Sequence, residues 1–180
     1  MSRYPIADYA LLSDCHSAAL VHRSGSVDWL CFPRFDSPSV FGRLLDERAG
    51  HWSLHVPGAT SIRRRYLDGT LVLETEFETP TGRLMLTDAL AAGPNERGHE
   101  LGARAPHGLL RRAECVAGTV ELEIEYAPRP EYGRLRPGLE AVPGGKRATG
   151  GSFGLLLFSP APLAVDGGPA ISDPVPPRRP

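Results

Sequence analysis

At 180 residues, the chain has the length of one domain with a real hydrophobic core and cannot house two large ones. Its 20 basic and 21 acidic residues leave a formal net charge of -1, which argues against a nucleic acid or an anionic membrane as a partner held by bulk electrostatics. Cys15, Cys31 and Cys115 are an odd set without CxxC spacing, so neither a disulfide framework nor a zinc site is indicated.

The opening residues lack an apolar signal core, and no apolar run approaches the roughly 20 residues that span a bilayer. The expectation is a cytoplasmic protein with reduced thiols, no cofactor and no membrane or nucleic-acid partner. Gly and Pro, 20 and 18 in number, fall between short apolar runs, which is the punctuation of an all-β domain.

Ala18 to His22 and Val27 to Phe32 flank Arg-Ser-Gly-Ser and predict a first hairpin. Pro33 then removes a ladder donor and takes the chain out of the sheet. Ser37 followed by Pro38 reads as a capped helix start, giving one short helix near residues 38–46. The chemistry of this stretch stands out: Asp28 and Trp29 on the strand, then Arg34, Phe35 and Asp36 in the loop after it. A ring, a guanidinium and carboxylates form the kit of a substrate-binding or domain-docking corner; the same residues also fit a buried Trp29 with Arg34 stapled to Asp36.

Trp52, Leu54 and Val56 alternate with polar residues and predict a strand. His51 and His55 share a face of it, with no third ligand placed beside them. Arg63, Arg64 and Arg65 read as a solvated strand end. Thr70 to Thr79 and Arg83 to Leu90 flank Pro80-Thr81-Gly82 and predict a hairpin with Leu71, Leu73, Thr75 and Phe77 on one face. Glu74, Glu76 and Glu78 face water.

Residues 91–106 have no period and read as a long loop carrying Arg97, His99 and Glu100. A second hairpin is predicted from His107 to Val116 and Thr119 to Ala127, with Val120, Leu122, Ile124 and Tyr126 inward and Glu121, Glu123 and Glu125 in water. Leu139 to Val142 and Lys146 to Thr149 form a weaker pair. Phe153 to Phe158 is a nearly continuous apolar run, which predicts a strand covered on both faces. Residues 167–180 read as a Pro/Gly-rich disordered tail.

No motif supplies catalysis. Gly144-Gly145-Lys146 lacks Walker spacing, and strand-face glutamates in water lack the burial that raises an acid's pKa.

Several segments together resemble one family. Ile6-Ala-Asp-Tyr-Ala-Leu-Leu-Ser-Asp14 and the stretch from Ala18 to Phe41 look like the start of bacterial glycoside hydrolase family 15 proteins, the glucoamylase and trehalase-like group. Arg64 to Thr75, Thr87-Asp88, Leu110-Arg-Arg-Ala-Glu-Cys-Val-Ala-Gly118 and Ala127-Pro-Arg-Pro-Glu-Tyr-Gly133 fit as well. The resemblance implies a many-stranded, supersandwich-like antiparallel β-sandwich over residues 1–166, which in the family precedes an (α/α)₆ barrel carrying two catalytic glutamates for α-glucosidic bonds. That barrel is absent from the sequence, so no catalytic residue carries over.

The expected role is therefore a non-catalytic domain that packs against a catalytic barrel. The alternatives are a stand-alone module binding α-glucosides and a subunit completing a separately encoded barrel in trans. Family sandwiches continue with further strands where the Pro-rich end of this chain takes over. The resemblance thus leaves open whether the sandwich is complete, and missing strands would leave an edge that invites another chain.

Overall fold

The computed structural model describes residues 4–150, 153–165 and 169–171. In chain order they form β1 (Tyr9–Ser13), β2 (Ala18–His22), β3 (Ser26–Cys31), β4 (Ser39–Phe41), β5 (His51–His55), β6 (Ser61–Tyr66), β7 (Leu73–Thr79) and β8 (Gly82–Leu90). There follow β9 (Leu109–Gly118), β10 (Glu123–Ala127), β11 (Gly138–Val142), β12 (Gly145–Gly150), β13 (Phe153–Phe158), β14 (Ala164–Val165) and β15 (Ala170–Ile171). The fold is all-β, with antiparallel pairing throughout and only 3₁₀ turns as helices among the described residues.

One layer is a large sheet in the order β1-β2-β3-β5-β10-β15-β14, with β4 also paired to β3. Opposite it lie a four-stranded sheet, β6-β7-β8-β9, and a three-stranded one, β11-β12-β13. Alternation along the strands makes the layers meet: Leu12, Val21, Val27, Leu30 and Phe41 bury with Leu73, Leu90 and Leu157 in one core cluster. Leu54, Val56, Phe77, Leu84, Leu86, Val120 and Leu122 make the second, and Trp52 packs against both.

At the junction of the two clusters sits Arg111, whose side chain is 1% exposed against 0% for Asp88. Its Nε donates to Asp88 Oδ1 at 2.9 Å and one Nη donates to Oδ2 at 3.3 Å. The guanidinium also donates to the carbonyls of Trp52 and Gly25, both at 2.6 Å, and lies 5.2 Å from the Trp52 ring centroid. A cation from β9 and an anion from β8 are thus tied to the backbone of the opposite sheet. Gly25 makes this approach possible: its φ is +87°, and a Cβ there would stand 2.3 Å from the Leu54 carbonyl oxygen.

The β7–β8 hairpin turns through Pro80-Thr81 as predicted, with Thr79 opposite Gly82. Leu73, Thr75 and Phe77 are buried, while Leu71 precedes the strand and is exposed. The β2–β3 and β11–β12 hairpins form where expected.

Other expectations are corrected. Instead of a helix over residues 38–46, Ser39–Phe41 pairs with β3 and the chain then turns back, with Gly42 N–H donating to the Ala49 carbonyl. Phe41 and Val40 are 2% and 6% exposed, and burying them in the core outweighs a local helix-start signal. Ser37 Oγ accepts from the Arg34 amide.

The predicted β9–β10 hairpin does not form either. Gly118 pairs with Gly82 and Thr119 N–H donates to the Thr81 carbonyl, so β9 stays with β8 to its end. The chain then crosses to the other layer, burying Val120 and Leu122 on the way, and β10 pairs with β5. Alternation fixes which side chains point inward, not which strand lies alongside.

Likewise, β13 is not covered on both faces: Leu157 is buried, while Leu156 and Phe158 are exposed. Part of the expected tail, Ala170–Ile171, pairs with β10; residues 172–180 lie outside the described ones.

The arginine run is a cross-strand ladder. On one face of β6, Arg65 lies 2.6 Å from Glu74 and Arg63 3.5 Å from Glu76, whereas Arg64 turns to the other face and donates to the carbonyls of Asp8 and Val21.

The loop over residues 91–106 is organised around Glu96, whose carboxylate accepts from the amides of Gly93, Gly102 and Arg104. Burial opposes its ionisation, and the three amides with Arg104 outweigh that and hold the carboxyl below its ordinary value. In Glu96→Ala those amides lose their shared acceptor, so hydrogen exchange across residues 93–104 accelerates while the strand amides keep their protection. Unchanged exchange in the loop would show that Glu96 does not order it.

Candidate functional site

The outward face of the large sheet is polar, yet much of it is buried. Tyr9 stands opposite His22, Ser26 opposite Ser53, and Ser53 opposite Glu125, so one lateral row of polar side chains crosses β3, β5 and β10. Asp28 anchors it. Its Oδ1 accepts from Ser26 Oγ at 2.5 Å and from Arg43 Nε at 2.9 Å, and its Oδ2 accepts from the Tyr9 hydroxyl at 3.0 Å. The Leu44 amide donates to the Asp28 carbonyl, which draws the 42–50 turn over this face.

His22 is sandwiched by two rings, Tyr4 at 4.1 Å and Tyr9 at 5.3 Å between centroids, with Nδ1 2.8 Å from Ser24 Oγ. Burial depresses its pKa against the opposing pull of Asp28 and Asp8.

Towards β10, His51 Nε2 lies 3.2 Å from Glu125 Oε2. Gly50, His51, Glu125, Arg129 and Arg136 line a pocket of about 170 Å³ there. The His51 ring beside it, together with the Arg43 and Arg129 charges, outweighs burial and holds the Glu125 carboxyl below the usual carboxylate range. Such a carboxylate accepts hydrogen bonds but is a poor proton donor. The volume is also below the roughly 300 to 1,000 Å³ of small-molecule sites.

The residues singled out in the sequence part company. Asp28 is 1% exposed, inside the network just described. Trp29 is half-buried, its ring centroid 6.3 Å from that of Tyr132. Arg34 Nε donates to Asp36 Oδ1 at 2.9 Å, with side chains 65% and 74% exposed. This bond and the paired charges raise the Arg34 pKa and lower that of Asp36. Phe35 between them is 58% exposed, while its amide is fixed to the His16 carbonyl at 2.8 Å.

The corner is therefore a stapled tip with one outward ring, and Asp28 and Trp29 belong to the sheet behind it. Sequence reasoning missed Tyr9 and Arg43 as partners of Asp28, since each belongs to a different local segment. Glu125, read as facing water, keeps a side chain 40% exposed, and what the sequence did not show is His51 beside it. Among the described residues no three His, Cys, Asp or Glu side chains are grouped to hold a metal ion. None of their helices is long and apolar enough to cross a membrane.

Residues 2–163 match the family described as trehalase-like, N-terminal. The chain belongs to that family. Among curated relatives, this trehalase-like N-terminal domain is 46% identical over 144 residues to a trehalase of Mycolicibacterium smegmatis, covering 73% of this chain and 21% of that protein. A trehalase of Mycobacterium tuberculosis is 48% identical over 141 residues, covering 73% and 21%. Trehalase 2 of Sulfolobus acidocaldarius is 33% identical over 134 residues, covering 74% and 20%. The matched part is thus about a fifth of each relative's length. No solved structure matches.

The Glu125–His51 pair gives this face a pH signature. Because the folded pKa of Glu125 lies below its unfolded value of about 4.3, the unfolded chain takes up more protons as pH falls. The stability it contributes is complete above that value and is lost as pH drops through the folded pKa. Glu125→Gln should therefore show a flatter fall in urea midpoint between about pH 6 and pH 3 than the wild type. Parallel curves would mean that the pair is not formed.

Proposed function

We propose that this trehalase-like N-terminal domain is a non-catalytic sandwich that packs against and shapes the (α/α)₆ catalytic barrel of a family 15-like glycoside hydrolase acting on α-glucosidic bonds. The carrying observation is the family match over residues 2–163, in a chain that spans about a fifth of relatives named trehalases. Those names favour trehalose over starch oligosaccharides as the substrate of the whole enzyme.

The carboxylates support a scaffolding role. Hydrolysis with inversion needs one carboxyl whose pKa is raised to donate a proton and a second to activate water. Asp28 and Asp88 are each clamped by a guanidinium. Asp36, Glu96 and Glu125 are all shifted downward.

The tip formed by Arg34, Phe35 and Asp36 is the proposed docking corner, because its backbone is fixed while its ring faces outward. Asp28 and Trp29 position it from behind. Cys15, Cys31 and Cys115 are all unpaired, which suits a reducing cytoplasm.

The test is reconstitution. The purified chain should release no glucose from trehalose or maltose, and trehalose should leave its Trp fluorescence unchanged. Added to a mycobacterial trehalase lacking its own N-terminal domain, it should co-elute with that protein, and Phe35→Ala should weaken the association. Glucose release by the chain alone, abolished by replacing one of its own carboxylates, would refute the reading.

A further inference from the structure

The sheet edges are treated very differently in this molecule. The Tyr66 hydroxyl occupies both the amide and the carbonyl of Leu11 on β1. On β6 the edge carries the exposed Arg63 and Arg65, and on β9 the Arg112–Glu114 pair. β11 carries Glu140, and β14 is two residues long. Charge, short length and occupied backbone groups are the usual ways of keeping an edge from pairing with another chain.

β13 has none of these. It ends the three-stranded sheet, no strand lies beyond it among the described residues, and the sequence holds no charged residue between Arg147 and Asp166. Arg147, directly beside Leu156, turns away to Glu140 at 2.9 Å. Leu156 and Phe158 are 60% and 66% exposed.

We propose that two copies of this chain pair antiparallel through β13, on a two-fold axis at Leu156. Antiparallel neighbours in a sheet are related by an axis perpendicular to it, which keeps each face on its own side. Leu156 then meets Leu156 of the second copy, and Phe158 meets Gly154.

That register is self-complementary. Gly154 has open space where a Cβ would stand, so the exposed Phe158 ring of the other copy can lie across it, a pairing by which aromatic residues stabilise glycines in sheets. The interface is isologous and closes after two copies. It involves neither the Arg34–Asp36 corner nor the Glu125 pocket, so it stands apart from the docking proposal.

Sedimentation velocity over a concentration series tests it. The wild-type chain should show a monomer–dimer equilibrium, and Leu156→Lys, which sets two like charges face to face, should shift it towards monomer by about tenfold or more in concentration. The circular dichroism and melting temperature of the variant should be unchanged, since this side chain already faces solvent.

A second measurement fixes the register. In a Cys15→Ser background, Leu156→Cys should form a disulfide-linked dimer under mild oxidation, whereas Leu110→Cys on exposed β9 should not. A wild-type chain that stays monomeric at every concentration, or equal cross-linking at the two positions, would overturn the proposal.

Discussion

A buried guanidinium holds the two layers together. Arg111 reaches from β9 through the junction of the two apolar clusters, neutralises Asp88 and meets the carbonyls of Gly25 and Trp52. An ion taken out of water is costly, and only a partner charge with further hydrogen bonds offsets that. Here both are present, so the arrangement specifies register: a slip of one residue in β9 would send Arg111 to solvent and leave Asp88 uncompensated. The glycine at position 25 follows from the same constraint, because a side chain there would keep the hairpin away from β5.

With the layers fixed, the outward face of the large sheet can carry charge without relying on it for cohesion. Asp28, Arg43, Ser26 and Tyr9 form one network, and His51 with Glu125 another. Both lie under the turns over residues 42–50 and 128–135, whose backbone is pinned to the sheet, as by the Arg129 amide on the Val40 carbonyl. This is a face built to hold loops in place. The Arg34–Asp36 tip is held separately, by the Phe35 amide on the His16 carbonyl.

What could be read from the chain depended on whether the signal was local. The β7–β8 hairpin was legible because Pro80-Thr81-Gly82 and the alternation on both sides agree. Val120 and Leu122 were legible as inward-facing, yet their neighbour was not, since period two is the same whether β10 lies against β9 or β5. Ser37-Pro38 misled because a helix-start signature is outweighed once Val40 and Phe41 are needed in the core. Phe153 to Phe158 misled in the opposite way: an apolar run says that burial is favourable, not which residues supply the cover. The Asp28 network was invisible because its members come from β1, β3 and the turn after β4, segments joined only by the fold.

The most direct test of the account is the unfolding free energy of Asp88→Ala, measured in urea beside that of Glu140→Ala at an exposed pair. Leaving Arg111 buried without its counter-charge should cost about 3 to 5 kcal/mol, and a joint Asp88→Leu and Arg111→Met replacement should recover most of the loss. Glu140→Ala should cost under about 1 kcal/mol. If Asp88→Ala unfolded as cooperatively and within about 0.5 kcal/mol of Glu140→Ala, the buried guanidinium would not be what joins the two layers.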